Sequence, residues 1–147
     1  MPTLTRWFLK TALFWLVVAL VVGAILAAGA IWPLPPFFRG LGPVYFHLFM
    51  VGWVTQLIFG VIYWLFPRYS KVLPRGHRWL GWTTYVLING GLVLRALGEP
   101  MNALQPGRIW GWLLALSALL QWLAGFCFVI NTWPRIHGGP RRRAQER

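Results

Sequence analysis

Few side chains inside the apolar stretches of this chain can do chemistry, and each stands alone. His47 opens the run HLFMVGW at positions 47–53, Gln56, Asn89 and Gln121 fall near the middle of successive apolar segments, Arg95 stands near the end of one, and Cys127 lies inside another. A polar or ionisable group at membrane depth is costly unless paired, so each of these is a packing or functional hypothesis. Chemistry that needs a cluster finds no support. There is no Ser/His/Asp set, no pair of carboxylates and no glycine-rich phosphate loop, and a single cysteine allows neither an intrachain disulfide nor a structural zinc site. A lone imidazole that could ligate a metal and three amides that could bond one another are left.

The elements that position them are membrane spans. Of 147 residues 58% are hydrophobic, and 14 Lys and Arg face only two acids, Glu99 and Glu146. Such a basic balance fits nucleic acid or anionic lipid, but the bases flank the apolar runs, at Arg6 and Lys10, at 68–78 and at 135–147, as topology charges do. No nucleic-acid partner is expected; the bilayer is. About 20 apolar residues cross the hydrocarbon core, and four stretches qualify, roughly 10–31, 44–66, 79–97 and 109–131. The first has a basic start but exceeds a signal-peptide core and is taken as a retained span.

Breakers mark the joints: PLPPF at 33–37, Pro67 and Pro74, Pro100 and Pro106, and GGP at 138–140. The expected fold is one all-α, four-transmembrane-helix domain over 1–137, with a basic tail over 138–147. Bases crowd the termini and the 67–78 loop, whereas the 32–43 and 98–108 loops hold Arg39 and Arg108 alone, which places both termini in the cytoplasm. His47 then lies about one turn below the outer surface. Tryptophans 7, 32, 64, 79, 82, 110, 112 and 133 fall near span ends and read as interfacial anchors.

At 100° per residue the second span has two faces. Gly52, Gln56 and Gly60, four apart, form a stripe on which another helix can pack, with one amide hydrogen bond to hold it. Opposite lie His47, Met50, Val51, Val54, Ile58 and Val61, an apolar surface headed by an imidazole. This is what a haem requires: hydrophobic walls for the macrocycle and a neutral nitrogen for the iron. Arg95, Arg39 and Arg108 could pair with its propionates, while an i,i+4 ion pair of Arg95 with Glu99 is the competing use. For His47 the competing role is an interfacial imidazole bonded to a backbone carbonyl or a lipid headgroup. His47 with Met50 also offers Cu(I) an imidazole and a thioether, although two ligands on one helix seldom make a site.

The stretch HLFMVGWVTQLIFGVIYWLFPR, 47–68, resembles the second helix of the catalytic subunit of haem-copper oxidases, especially their nitric oxide reductase-like branch. The likeness rests on the initial histidine, GW five residues on, a later glycine and an aromatic-proline exit. It implies that His47 is an axial ligand of a low-spin haem b and that the chain is multi-pass in a bacterial or archaeal cytoplasmic membrane. Those enzymes carry their remaining metal ligands on later helices for which this chain has no counterpart, so the resemblance implies electron transfer without oxygen or nitric oxide reduction. His77 and His137 fall on the cytoplasmic side by the charge count, so a second axial ligand would come from another His47 in a two-fold dimer. A haem near the outer leaflet would suit either quinol or an external cytochrome as electron partner. The alternative is a cofactor-free scaffold or assembly subunit of a respiratory membrane complex. A small transporter is disfavoured, because no span holds a carboxylate and none is broken at mid-depth.

Overall fold

The computed structural model describes residues 1–66 and 76–136 and is all-helical, with four long helices that run alternately up and down. The first is α1 (Thr3–Ala28). The second is built in pieces over Pro36–Leu65: α2 (Pro36–Arg39), α3 (Leu41–His47), a π-helical segment (Leu48–Thr55) and α4 (Gln56–Leu65). Then follow α5 (Arg78–Leu104) and α6 (Arg108–Ile136).

Three of the four, α1, Pro36–Leu65 and α6, are long and apolar enough to cross a membrane. α5 carries Asn89, Arg95, Glu99 and Asn102 and is less apolar than they are. It is also the helix with packed neighbours on several sides, touching α6, α2, α3 and the π segment. A helix face covered by protein can carry polar groups, because its neighbours supply their partners. α1 and α6, by contrast, leave large apolar side chains open, including Leu13, Val17, Leu20 and Val21 on one and Leu116, Leu119, Trp122 and Phe126 on the other. Contiguous apolar surface of that kind is foreign to a water-soluble monomer and natural against lipid.

Glycines let the backbones approach. A Cβ on Gly52 would sit 2.9 Å from the Trp15 Cβ, and one on Gly60 would sit 2.9 Å from the Phe8 Cβ, so both glycines of the anticipated stripe press against α1. Gly91 and Gly98 do the same for α6, meeting Gln121 and Leu114. Two apolar clusters result. Leu4, Phe8, Tyr63, Ile88 and Ala124 fill one end, and Ala19, Leu41, Val44, Leu48 and Leu92 the other. The stacked rings of Phe59 and Phe128, 3.8 Å between centroids, tie α4 to α6.

Two expectations are corrected. Pro100 does not end its helix: α5 continues through it to Leu104, and Pro100 is buried where Gly40 of the neighbouring helix lies against it. Packing there offsets the missing N–H bond. Helix formation also starts at Pro36, inside the PLPPF breaker, because proline suits the first turn of a helix, where its N–H would have no intrahelical acceptor. Pro67, Pro74 and the 138–140 GGP lie outside the described residues.

Arg135, grouped by sequence with the flanking topology charges, is instead 2% exposed. Its Nη2 donates to the carbonyls of Phe66 at 2.7 Å and Tyr63 at 3.3 Å, capping the C-terminal end of α4, whose last carbonyls have no helical donor. At the same end the Asn131 side chain accepts from the His77 backbone N–H at 2.9 Å, where α5 begins. Gly76, just before, has φ +73°, a left-handed conformation that favours glycine.

Adding a methyl group at the α1 contact should loosen the fold. Gly60→Ala is expected to lower unfolding free energy in mixed micelles by about 1–3 kcal/mol through overpacking. Gly111→Ala, where an added Cβ meets nothing within 4 Å, should leave it unchanged or raise it slightly. Equal midpoints for the two variants in a denaturing-detergent titration would contradict the close α1 packing.

Candidate functional site

His47 is the last residue of α3, half-buried, at the head of the π segment. Its Nδ1 lies 2.9 Å from the Pro43 carbonyl oxygen, four residues back. A carbonyl can only accept, so Nδ1 carries the proton and donates it, and in the neutral ring Nε2 holds the free lone pair. Both sequence-level roles share this bond. It satisfies an imidazole at a membrane edge, and it is also the outer-shell contact that fixes the tautomer and orientation of a metal-ligating histidine.

The π segment follows at once. Its i→i+5 bonding puts more residues into each turn than an α-helix does, and such segments occur often at functional sites. The Thr55 hydroxyl strengthens it, donating 2.8 Å to the carbonyl of Met50, five residues earlier. The extra residue per turn alters which side chains share a face, so the stripe laid out at 100° per residue does not survive intact. Val51 packs against both core clusters. Met50 and Ile58 are open, at 41% and 48% exposure, and Phe46 joins them at 58%. Val54 and Val61 are half-buried. The open surface next to His47 is therefore Phe46, Met50 and Ile58, with the Phe46 ring 5.9 Å from the imidazole, edge-on. Phe46 was not singled out from sequence: on a straight helical wheel it lies near Met50 but about 120° from Ile58, at the margin of the His47 face.

The candidate arginines are placed as follows. Arg95 Nη1 donates to Glu99 Oε1 at 3.1 Å, the i,i+4 pair that competed with a propionate role, and both side chains are mostly covered, at 16% and 18% exposure. Its Nε is buried and has no hydrogen-bond partner among the described residues. Leu92 and Ala96 on either side of Arg95 pack with Leu41, Val44 and Leu48, so Arg95 does lie at the level of His47. Arg108 is exposed at the first residue of α6. The side chain of Arg39 lies outside the described residues, as does His137. His77 begins α5 at the opposite end of the bundle. Cys127 is free and half-buried in α6. Among the described residues no three His, Cys, Asp or Glu side chains come together as a metal site.

Two of the three mid-span amides meet. Gln56 and Asn89 bond reciprocally, Nε2 to Oδ1 at 3.1 Å and Nδ2 to Oε1 at 3.2 Å. Gln121 does not join them; it turns to Ser117 on its own helix at 3.1 Å, and Ser117 in turn donates to the Gly91 carbonyl at 2.7 Å. The third partner is the indole of Trp15, whose Nε1 donates to Asn89 Oδ1 at 2.8 Å. Asn89 Nδ2 also reaches the Tyr85 carbonyl at 2.9 Å, and the Tyr85 hydroxyl pairs with Thr11 at 2.7 Å. A sequence signal for Trp15 did exist: it is one of three tryptophans, with Trp53 and Trp122, away from the span ends, and a buried indole N–H needs an acceptor.

No protein-family model matches the chain, and neither a curated protein nor a solved structure is similar to it.

Replacing Asn89 by Leu strands both the fully buried Gln56 amide and the Trp15 indole, whereas Gln121→Leu removes one bond to a hydroxyl that keeps its own acceptor. The first change is expected to cost about 1–2 kcal/mol in a bilayer-like medium and the second about half as much. Detergent unfolding of the two variants orders them; a larger loss for Gln121→Leu would contradict the network.

Proposed function

We propose that this chain is a four-span membrane protein with both termini cytoplasmic that binds haem b through His47 and transfers single electrons. The observation that carries the reading is the imidazole itself: Nδ1 is engaged by the Pro43 carbonyl at 2.9 Å, which leaves the Nε2 lone pair of a half-buried ring as the ligand atom. The residues fit such a group in two further respects. Phe46, Met50 and Ile58 supply an uncovered apolar wall on the same helix, and the exposed Arg108 lies at the same end of the bundle; a second axial ligand would have to come from a partner chain. Bound there, haem would supply a one-electron couple.

The chain's part is to hold and cover. The π segment and the Thr55 bond set the position of His47 against its wall. A two-fold pair of chains meeting through Phe46, Met50 and Ile58 would bring two copies of His47 to one iron and cover the apolar surface in the same step. Arg95 is committed to Glu99, which leaves the exposed Arg108 as the outer-end cation for haem carboxylates. The orientation is supported by charge. The exposed Arg6, Lys10 and Arg78 share the end of the bundle where α1 begins and α6 finishes, which by the positive-inside rule favours a cytoplasmic position for that end.

The exposed Phe46, Met50 and Ile58 surface also supports a second reading, a cofactor-free scaffold that docks this face on a larger membrane complex.

Absorption spectra of the purified protein, oxidised and dithionite-reduced, separate the two. A sharp reduced α-band that disappears in His47→Ala, with one haem per two chains, is the expected result. A colourless wild type from cells with ample haem would overturn the electron-transfer reading and favour the scaffold.

A further inference from the structure

The α1 surface at the basic end of the bundle holds a second feature, independent of His47. Thr3, Arg6, Trp7, Lys10, Thr11 and Phe14 line an open groove of about 370 Å³, within the range of small-ligand sites. They recur at helical spacing, so a single face of α1 forms its floor. α5 fixes one side. The Tyr85 hydroxyl bonds Thr11 at 2.7 Å, and the Tyr85 ring meets the Trp7 indole edge-on at 6.2 Å. Arg6 and Lys10 stand one turn apart in the groove, both exposed. The only acid among the described residues, Glu99, is paired with Arg95 at the far end of the bundle. Among the described residues, therefore, two cations face the groove with no anion beside them.

Toward the middle of the bundle the groove opens onto bare hydrocarbon. Beyond Phe14, which is 58% exposed, α1 presents Val17 at 61% and Val21 at 56% along the same line. The ligand that matches this sequence of surfaces has a negatively charged head, hydroxyl acceptors near it, and a long apolar tail. We propose that the groove is a binding site for an anionic phospholipid of the cytoplasmic leaflet, its phosphate held by Arg6 and Lys10, its glycerol region beside Trp7 and Thr11, and an acyl chain laid along Phe14, Val17 and Val21. Charge complementarity decides the class, since each basic residue close to an anionic membrane surface adds attraction, and the adjoining apolar lane separates a lipid from a free anion. Arg78 lies exposed at the same end but outside the groove. It provides the comparison between a built site and general basic attraction.

The test uses the full chain in detergent micelles doped with phosphatidylglycerol or phosphatidylcholine, with retained lipid counted by native mass spectrometry. The wild type is expected to retain phosphatidylglycerol at least several-fold over phosphatidylcholine. Arg6→Gln/Lys10→Gln should bring the ratio near one, Lys10→Arg should keep it, and Arg78→Gln should leave it unchanged. Circular dichroism checks that helix content is the same in all four. Equal retention of the two lipids by the wild type overturns the proposal. So does an equal loss in Arg78→Gln, which would mean unspecific charge, or displacement of the lipid by millimolar inorganic phosphate, which would assign the groove to a free anion.

Discussion

The bundle is organised around one constraint: a primary amide inside an apolar interior has to find its partner there. Gln56 is completely buried, and Asn89 answers both its donor and its acceptor. Because Trp15 donates to the same Asn89 oxygen, three helices are held in one register at this point. Any slide of α1, the second helix or α5 would strand polar groups where neither water nor lipid can replace the bond. The two apolar clusters lie on either side of this network, one toward each end of the bundle. Dispersion and close packing in them follow the register that the hydrogen bonds select.

Close approach is what makes those bonds short enough. Gly52 and Gly60 bracket Gln56 and let α1 come within contact of the second helix on both sides of it. Gly91 and Gly98 bring α6 onto α5 in the same manner, with the Ser117 hydroxyl reaching the Gly91 carbonyl. Apolar side chains gain little from leaving lipid for another helix, so small residues and polar bonds carry the association. α5 is the least apolar of the four and packs against α6, α2, α3 and the π segment, while α1 and α6 carry many hydrophobic residues outward.

The π segment connects this packing to the candidate site. It lies between the bonded His47 and the anchored Gln56, and its wider turn lets each end keep its own orientation. On a regular helix Val51 would share the His47 face; here it belongs to the core, and Phe46, Met50 and Ile58 form the open face. The candidate site thus follows from a second helix that holds a fixed amide at its centre and an imidazole toward its start.

From its residues alone the chain is readable as all-helical and membrane-suited, because the length and apolarity of a helix long enough to cross a bilayer are local properties. The small face of the second helix was legible for the same reason, since spacing by four needs only a helix to become a stripe, and both Gly52 and Gly60 meet α1. Spacing left open who would answer each polar atom. That Asn89 pairs with Gln56, that Gln121 turns to Ser117, and that Trp15 supplies the third bond depend on the relative depth and rotation of separate helices, which packing decides. The same holds for Arg135, a flanking charge by position and a buried cap of α4 by contact, and for Pro100, a breaker by type that a buried contact with Gly40 keeps inside α5. The π segment was least legible of all. A helical wheel assumes a constant rotation per residue, and the π segment between His47 and Gln56 departs from it.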